Sequence, residues 1–304
     1  MDNVQRLKVG SEFGNILAYD PGKAPPPGFK PQDNLSLHSD SGLDITTYYN
    51  EQTNQVMVAI AGTNDSKDRA AWTSIESAGS AYSGNKVQID EALALFKSIK
   101  KFAESKEAYV MTAGHSFSGA FIDIGAATFG FEGVKFDAVG GGNIIGDAAY
   151  QQKLVQMGIV PPPNSANVIS ATVNGFLGYG GGIVSYFGAD LPGTTQCQVT
   201  TDRSATSALN NLLGYMQAGI GGYFVSMLDA GVYVHDASSI NAAIQDGSYQ
   251  CVWEPPTVPG DTGYVPSFDD VLNLDYVLTD AYNNGYVFDV DFNVATHGSV
   301  PPLS

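Results

Sequence analysis

The segment Ala108-Tyr-Val-Met-Thr-Ala-Gly-His-Ser-Phe-Ser-Gly-Ala120 constrains the fold of this chain more than any other. An apolar run of strand length stops at a glycine, and the small residues that follow read as a helix. The hinge, Gly114-His115-Ser116-Phe117-Ser118-Gly119, approximates the G-x-S-x-G nucleophile elbow. In that turn a serine sits at the sharp end of a strand, so its hydroxyl projects while the backbone clears the sheet. Small neighbours are required because helix and strand backbones come close there. Ser118 stands where the motif has its last glycine, and Gly119 follows at once. A Ser/Gly-rich loop without catalytic meaning is the plainer alternative; the strand before the turn and the helix after it argue against that.

The rest of the chain supplies the frame for such a turn. Leu43 to Tyr49 and Gln55 to Ile60 are β-rich runs around Asn50-Glu-Gln-Thr-Asn54, a hairpin signature, and Val56 to Ile60 is apolar enough for the centre of a sheet. From Gln88 to Phe102, Ile89, Ala92, Leu93, Leu95, Phe96, Ile99 and Phe102 fall at helical spacing. Val134 to Val139, Val168 to Val173 and Thr195 to Thr200 are further strand candidates. This alternation predicts an α/β fold with a mainly parallel sheet flanked by helices. Residues 20–33, with five prolines, read as a stiff loop holding no helix and no central strand. No repeat of 20–50 residues is visible. Residues 1–255 are expected to form the α/β domain. Residues 256–304 read as an acidic, β-rich extension packed on it: 261–293 contain no Lys or Arg, and Asn283-Asn-Gly285 is a turn signal.

Charge narrows the partners. Fourteen basic residues against 31 acidic ones give a formal net charge of −17, a surface that repels a phosphate backbone, so nucleic-acid binding is not expected. Of the acids 23 are Asp, which favours turns and caps over helix interiors and points to a loop-rich surface. Calcium binding stays open. Two cysteines, Cys197 and Cys251, exclude a disulfide framework and a multi-cysteine metal site; they either pair once or stay as buried thiols, the reading preferred. The first residues lack the basic start, apolar run and cleavage site of a secretory signal, and no apolar stretch reaches the ~18 residues of a membrane span. A soluble chain is expected, cytoplasmic or exported by a signal-independent route.

Taken in order, Val58-Ala-Ile-Ala-Gly-Thr63, Trp72, the helix from Gln88 and Gly114-His-Ser-Phe-Ser-Gly119 resemble the class 3 lipase-like family of α/β hydrolases, here its bacterial lipases and esterases. The likeness spans residues 40–245. It implies an α/β-hydrolase fold and a serine carboxylic-ester hydrolase working through an acyl-enzyme on lipid-like or other apolar esters. It implies no metal or organic cofactor, and transient contact with a lipid interface. Ser116 takes the nucleophile's place. Thr63, at the family's Arg-Gly-Thr or Arg-Gly-Ser motif, takes the oxyanion-hole position, and the backbone N–H of Phe117 is the second donor. One such donor is worth about 3 kcal/mol in the transition state. Two residues depart from the pattern: Ala61 replaces arginine, and Ser118 replaces glycine.

The base follows by elimination among four histidines, His38, His115, His235 and His297. His115 lies inside the elbow, where its ring packs beside the strand, and His38 comes too early for the Ser…Asp…His order of these hydrolases. His235, in Val234-His-Asp-Ala-Ser-Ser-Ile240 before a short apolar helix, is preferred to His297 near the C-terminus, and bacterial class 3-like lipases carry a similar histidine there. The acid should follow the strand ending at Val173, yet the chain there reads Asn174-Gly-Phe-Leu-Gly178. Asp190 becomes the acid if residues 175–189 loop out and return. Asn174 and Asp202 are the alternatives. Leu209 to Val234 and Phe176 to Phe187 are rich in apolar and aromatic residues, which suits an acyl pocket or lid and equally suits plain core. The missing Asp and Ala61 also motivate a second class of function: a hydrolase-like fold that has lost turnover and serves as a binding or structural module.

Overall fold

The computed structural model describes residues 1–62, 81–163, 167–173, 189–201, 236–252, 287–288 and 294–295. The chain opens with α1 (Asn3–Ser11), where Asp2 and Gln5 form a reciprocal capping box. A π-helical turn, Glu12–Leu17, continues it. Residues 20–33 contain the short β1 (Phe29–Pro31), at the sheet edge, where proline's missing N–H costs no ladder bond, and a 3-10 turn, Asp33–Leu35, begins at their end. β1 and β2 (Leu37–His38) both pair antiparallel with β3 (Asp44–Asn50), and β3 forms the expected hairpin with β4 (Gln55–Ile60).

The helix expected from Gln88 is α2 (Lys86–Lys106), with Ile89, Ala92, Leu93, Phe96 and Ile99 buried along one stripe. β5 (Tyr109–His115) leads through a 3-10 turn, Ser116–Ser118, into α3 (Gly119–Phe129). β6 (Glu132–Phe136) stops three residues before the expected Val139, because Asp137 turns to a φ of 40°. Next come α4 (Ala148–Gln156), β7 (Val168–Val173), β8 (Thr195–Val199), α5 (Ala237–Asp246) and β9 (Tyr249–Val252).

The strand order is β1-β3-β4-β5-β6-β7-β8-β9, with β2 also on β3. β4 through β8 run parallel, and the flanking pairs are antiparallel, so the predicted mainly parallel sheet is what forms. Period-two alternation serves two cores. Val56, Val58 and Ile60 of β4 face Leu93, Phe96 and Ile122, while Met57 and Ala59 face Leu7, Phe13 and Ile240. Helices therefore cover both faces, which is why the central strands read as continuous apolar runs.

One expectation is corrected. Cys197 and Cys251 are not separate thiols: the antiparallel return of β9 sets them opposite each other, and they form a disulfide. Beyond β9 the described residues hold only the antiparallel pair β10 (Val287–Phe288) and β11 (Val294–Ala295); the remainder of the expected 256–304 extension lies outside the described residues. Among the described residues no helix is long and apolar enough to cross a membrane.

Candidate active site

β5 delivers Ser116 to the end of the sheet where the parallel strands finish. The serine takes a φ of 64°, the left-handed region that a side chain at this turn occupies only at a cost. α3 starts three residues later, so the chain reverses over one strained position. Gly114 makes the reversal possible: a Cβ there would lie 2.2 Å from Ser118 Oγ and 2.6 Å from the Ile60 carbonyl oxygen. Ser118, the departure from the motif, is fully buried, and its hydroxyl donates to the His115 carbonyl at 2.8 Å. Serine thus fills the last glycine's place by bonding within the turn. The Phe117 ring packs edge-on against Phe121 in the core.

The turn that follows β4 closes on the elbow from the side. A Cβ on Gly62 would stand 2.4 Å from the His115 carbonyl oxygen and 2.9 Å from Ser116 Cβ. Thr63 is the next residue and lies outside the described residues. The Gly62 N–H donates to the Tyr19 hydroxyl at 3.0 Å, and the same hydroxyl stands 3.1 Å from His115 Nδ1. His115 is thus held beside the strand, as expected. His38 pairs with Asp44 at the other histidine site described, and His235 and His297 lie outside the described residues, as do Asn174, Asp202 and the two apolar segments.

Asp190 is described, and its carboxylate is bound on both oxygens. Lys135 Nζ approaches one at 2.5 Å, and the Gln196 side-chain amide donates to the other at 2.8 Å. Lys135 is fully buried on β6 and also bonds Asp123 of α3 at 2.8 Å, which in turn accepts the Gly141 N–H. Burial pushes the Asp123 carboxyl up to about 6 against the pull of Lys135. Burial also works against the charged form of Lys135, but Asp123 and Asp190 outweigh it and raise its pKa. Burial likewise opposes charge on Asp190; the Lys135 ammonium and the bonds from Lys135 and Gln196 win, and hold its carboxyl below the ordinary value.

Three groups at this end of the sheet escape the sequence reading. Tyr19 and Lys135 carry no local signal, since their partners are distant in the chain. Asp137 did have one: an acid placed directly after an apolar strand of a parallel sheet, at the edge where such folds keep their ligands. It is fully buried, adopts a φ of 40°, and donates its N–H to the Ala171 carbonyl at 2.7 Å. Two residues on, the Val139 N–H donates to the Ser116 carbonyl at 3.1 Å, so Asp137 tops the strand beside the serine turn. Among the described residues no three His, Cys, Asp or Glu side chains gather as metal ligands would.

A mainly parallel sheet with helices on both faces and a left-handed serine between β5 and α3 is an α/β-hydrolase fold. No protein family and no curated protein matches the chain. Among solved structures it is similar to a triacylglycerol lipase from Penicillium expansum, at 13% identity and a TM-score of 0.40 over 66% of this chain and 81% of that one. It is also similar to the Lip2 lipase of Yarrowia lipolytica (15% identity, TM-score 0.36, 66% and 80% covered) and to lipase II from Rhizopus niveus (11%, 0.36, 65% and 78%).

Proposed function

We propose that this chain is a serine carboxylic-ester hydrolase of the class 3 lipase type, acting on lipid-like or other apolar esters. The observation that carries the reading is the left-handed Ser116 at the β5–α3 turn, with the Gly62 turn drawn against it. Strain of this kind persists where the surroundings impose it, and it clusters at working sites. In the proposed reaction Ser116 Oγ attacks the ester carbonyl while His235 takes its proton. The carbonyl oxygen becomes an oxyanion, met by donors at Thr63 and Phe117 N–H. Collapse of the tetrahedral intermediate expels the alcohol, which leaves with the proton held by His235. Water then attacks the acyl-enzyme by the same route and releases the acid and Ser116.

Asp190 enters as the carboxylate that orients His235. Its support is that Ala189, just before it, accepts the Gly142 N–H, and that Lys135 keeps Asp190 ionised. A second reading of this carboxylate is favoured by Asp137, which stands at the top of β6 beside the serine turn. Loss of the orienting charge costs up to ~10⁴ in rate. Asp190→Asn and Asp137→Asn, assayed side by side on p-nitrophenyl esters, therefore separate the two, because only one should fall that far.

The hydrolase reading is tested with a fluorophosphonate probe, which reacts only with an activated serine. Labelling of the intact chain that vanishes in Ser116→Ala supports it. An unlabelled, folded wild type points to the binding-module alternative.

A further inference from the structure

We propose that Tyr19 is a positioning residue for the oxyanion turn, tying Gly62 to the nucleophile elbow through its hydroxyl. This rests on the hydrolase reading above and deepens it.

The need for such a tie comes from Gly62 itself. The residue must be glycine, since a Cβ would collide with the His115 carbonyl at 2.4 Å and with the Tyr19 hydroxyl at 2.6 Å. Glycine also has the largest backbone freedom of any residue. The peptide that leads into Thr63 therefore starts from a residue with no side chain to anchor it, at the place where donor geometry matters most. A misplacement of about 1 Å at such a site costs on the order of 100-fold in rate.

The Tyr19 hydroxyl supplies the restraint. It accepts the Gly62 N–H at 3.0 Å, fixing the plane of the peptide before Gly62. Its other partner is His115, the residue before Ser116, through Nδ1 at 3.1 Å or the carbonyl oxygen at 3.4 Å. The bridge survives either imidazole tautomer. With Nδ1 unprotonated, the phenol donates to it; with Nδ1 protonated, the ring donates to the phenol and the phenol proton turns to the carbonyl. One oxygen thus joins the turn after β4 to the turn after β5.

Tyr19 is itself held firmly. It follows the π-helical turn Glu12–Leu17, whose Phe13 and Leu17 are fully buried, and its own N–H donates to the Ile16 carbonyl at 3.1 Å. Gly14 lies so near β5 that a Cβ would stand 2.6 Å from Gly114 N. The N-terminal segment is therefore packed on the strand that carries the nucleophile, and Tyr19 extends that contact to the oxyanion side.

The test is Tyr19→Phe in the full chain. Phe keeps the ring that packs edge-on against His115, and the position is 38% exposed, so removing one oxygen leaves the protein folded. On p-nitrophenyl butyrate, kcat should fall about 10- to 100-fold with KM nearly unchanged, because the tie acts on the transition state. Labelling by a fluorophosphonate should slow in parallel, and the melting temperature should stay near wild type. A role in stability alone would lower the melting temperature and leave kcat and labelling intact, which overturns the proposal; so does a variant indistinguishable from wild type. A wild type that never labels overturns the hydrolase reading and this inference with it.

Discussion

Ser116 carries a cost in the folded state that can be measured apart from catalysis. At a φ of 64° its Cβ crowds the following carbonyl, worth roughly 1–2 kcal/mol for an L-residue. Ser116→Gly removes that crowding, while glycine's greater freedom in the unfolded chain returns about 0.4–1 kcal/mol. Ser116→Gly should therefore be about 0.5–1 kcal/mol more stable than Ser116→Ala, with both inactive on esters. Denaturant midpoints of the two variants check this, and a less stable Ser116→Gly would mean that the left-handed turn is not imposed on the chain. At this scale the sequence was informative where chemistry is local. The run from Gly114 to Gly119 announces a strand–turn–helix because each residue's neighbours along the chain are also its neighbours in space. Tyr19 was silent for the opposite reason, its partners Gly62 and His115 lying 43 and 96 positions away.

The elements repeat that distinction. α2 shows its stripe of Ile89, Leu93, Phe96 and Ile99 because burial and apolarity coincide there. The inward positions of α1 include Arg6, Gly10 and Ser11, so no apolar period marks it. Arg6 is buried because it meets Glu132 at 2.7 Å and the Asn167 carbonyl at 2.8 Å, partners that no local pattern reveals. Lys135 is the sharper case. On β6 it points away from the face of Val134 and Phe136, toward Asp123 and Asp190, from 12 and 55 residues away. Lys135→Met should cost about 3–5 kcal/mol near neutral pH, since it strands a buried carboxylate, Asp123, without its cation. The sign of the pH effect follows. Burial already raises the folded pKa of Asp123 to about 6 from an ordinary 3.8, and losing Lys135 raises it further. A carboxyl whose folded pKa lies above its unfolded one favours the fold at low pH and loses that advantage as pH rises. The deficit of Lys135→Met against wild type should therefore shrink between pH 7.5 and pH 5, read from urea midpoints at both. A deficit independent of pH would show that Asp123 is not the group left stranded.

For the whole molecule, the disulfide decides how the far edge of the sheet is held. β8 and β9 are joined by a bond between residues 54 apart, and the enclosed chain contains His235, the residue before the Asp236 cap of α5. Two cysteines so far apart cannot be paired from spacing alone, because what aligns them is the β8–β9 register, Cys197 opposite Cys251. Closing a loop of that length removes chain entropy from the unfolded state worth about 4 kcal/mol in the entropic treatment. The double variant Cys197→Ser, Cys251→Ser should then melt roughly 5–8 °C below wild type, and reducing the wild type should produce the same shift. The covalent state has its own readout. Wild type unfolded in guanidinium without reductant should show no thiol that reacts with a disulfide-exchange reagent, and two after reduction. Two reactive thiols before reduction, with no change in melting in the double variant, would return the cysteines to separate thiols. Residual activity then reports on the proposed base. If α5 and β9 hold His235 in place, the folded double variant assayed well below its melting point should keep its KM for short esters and lose part of its kcat.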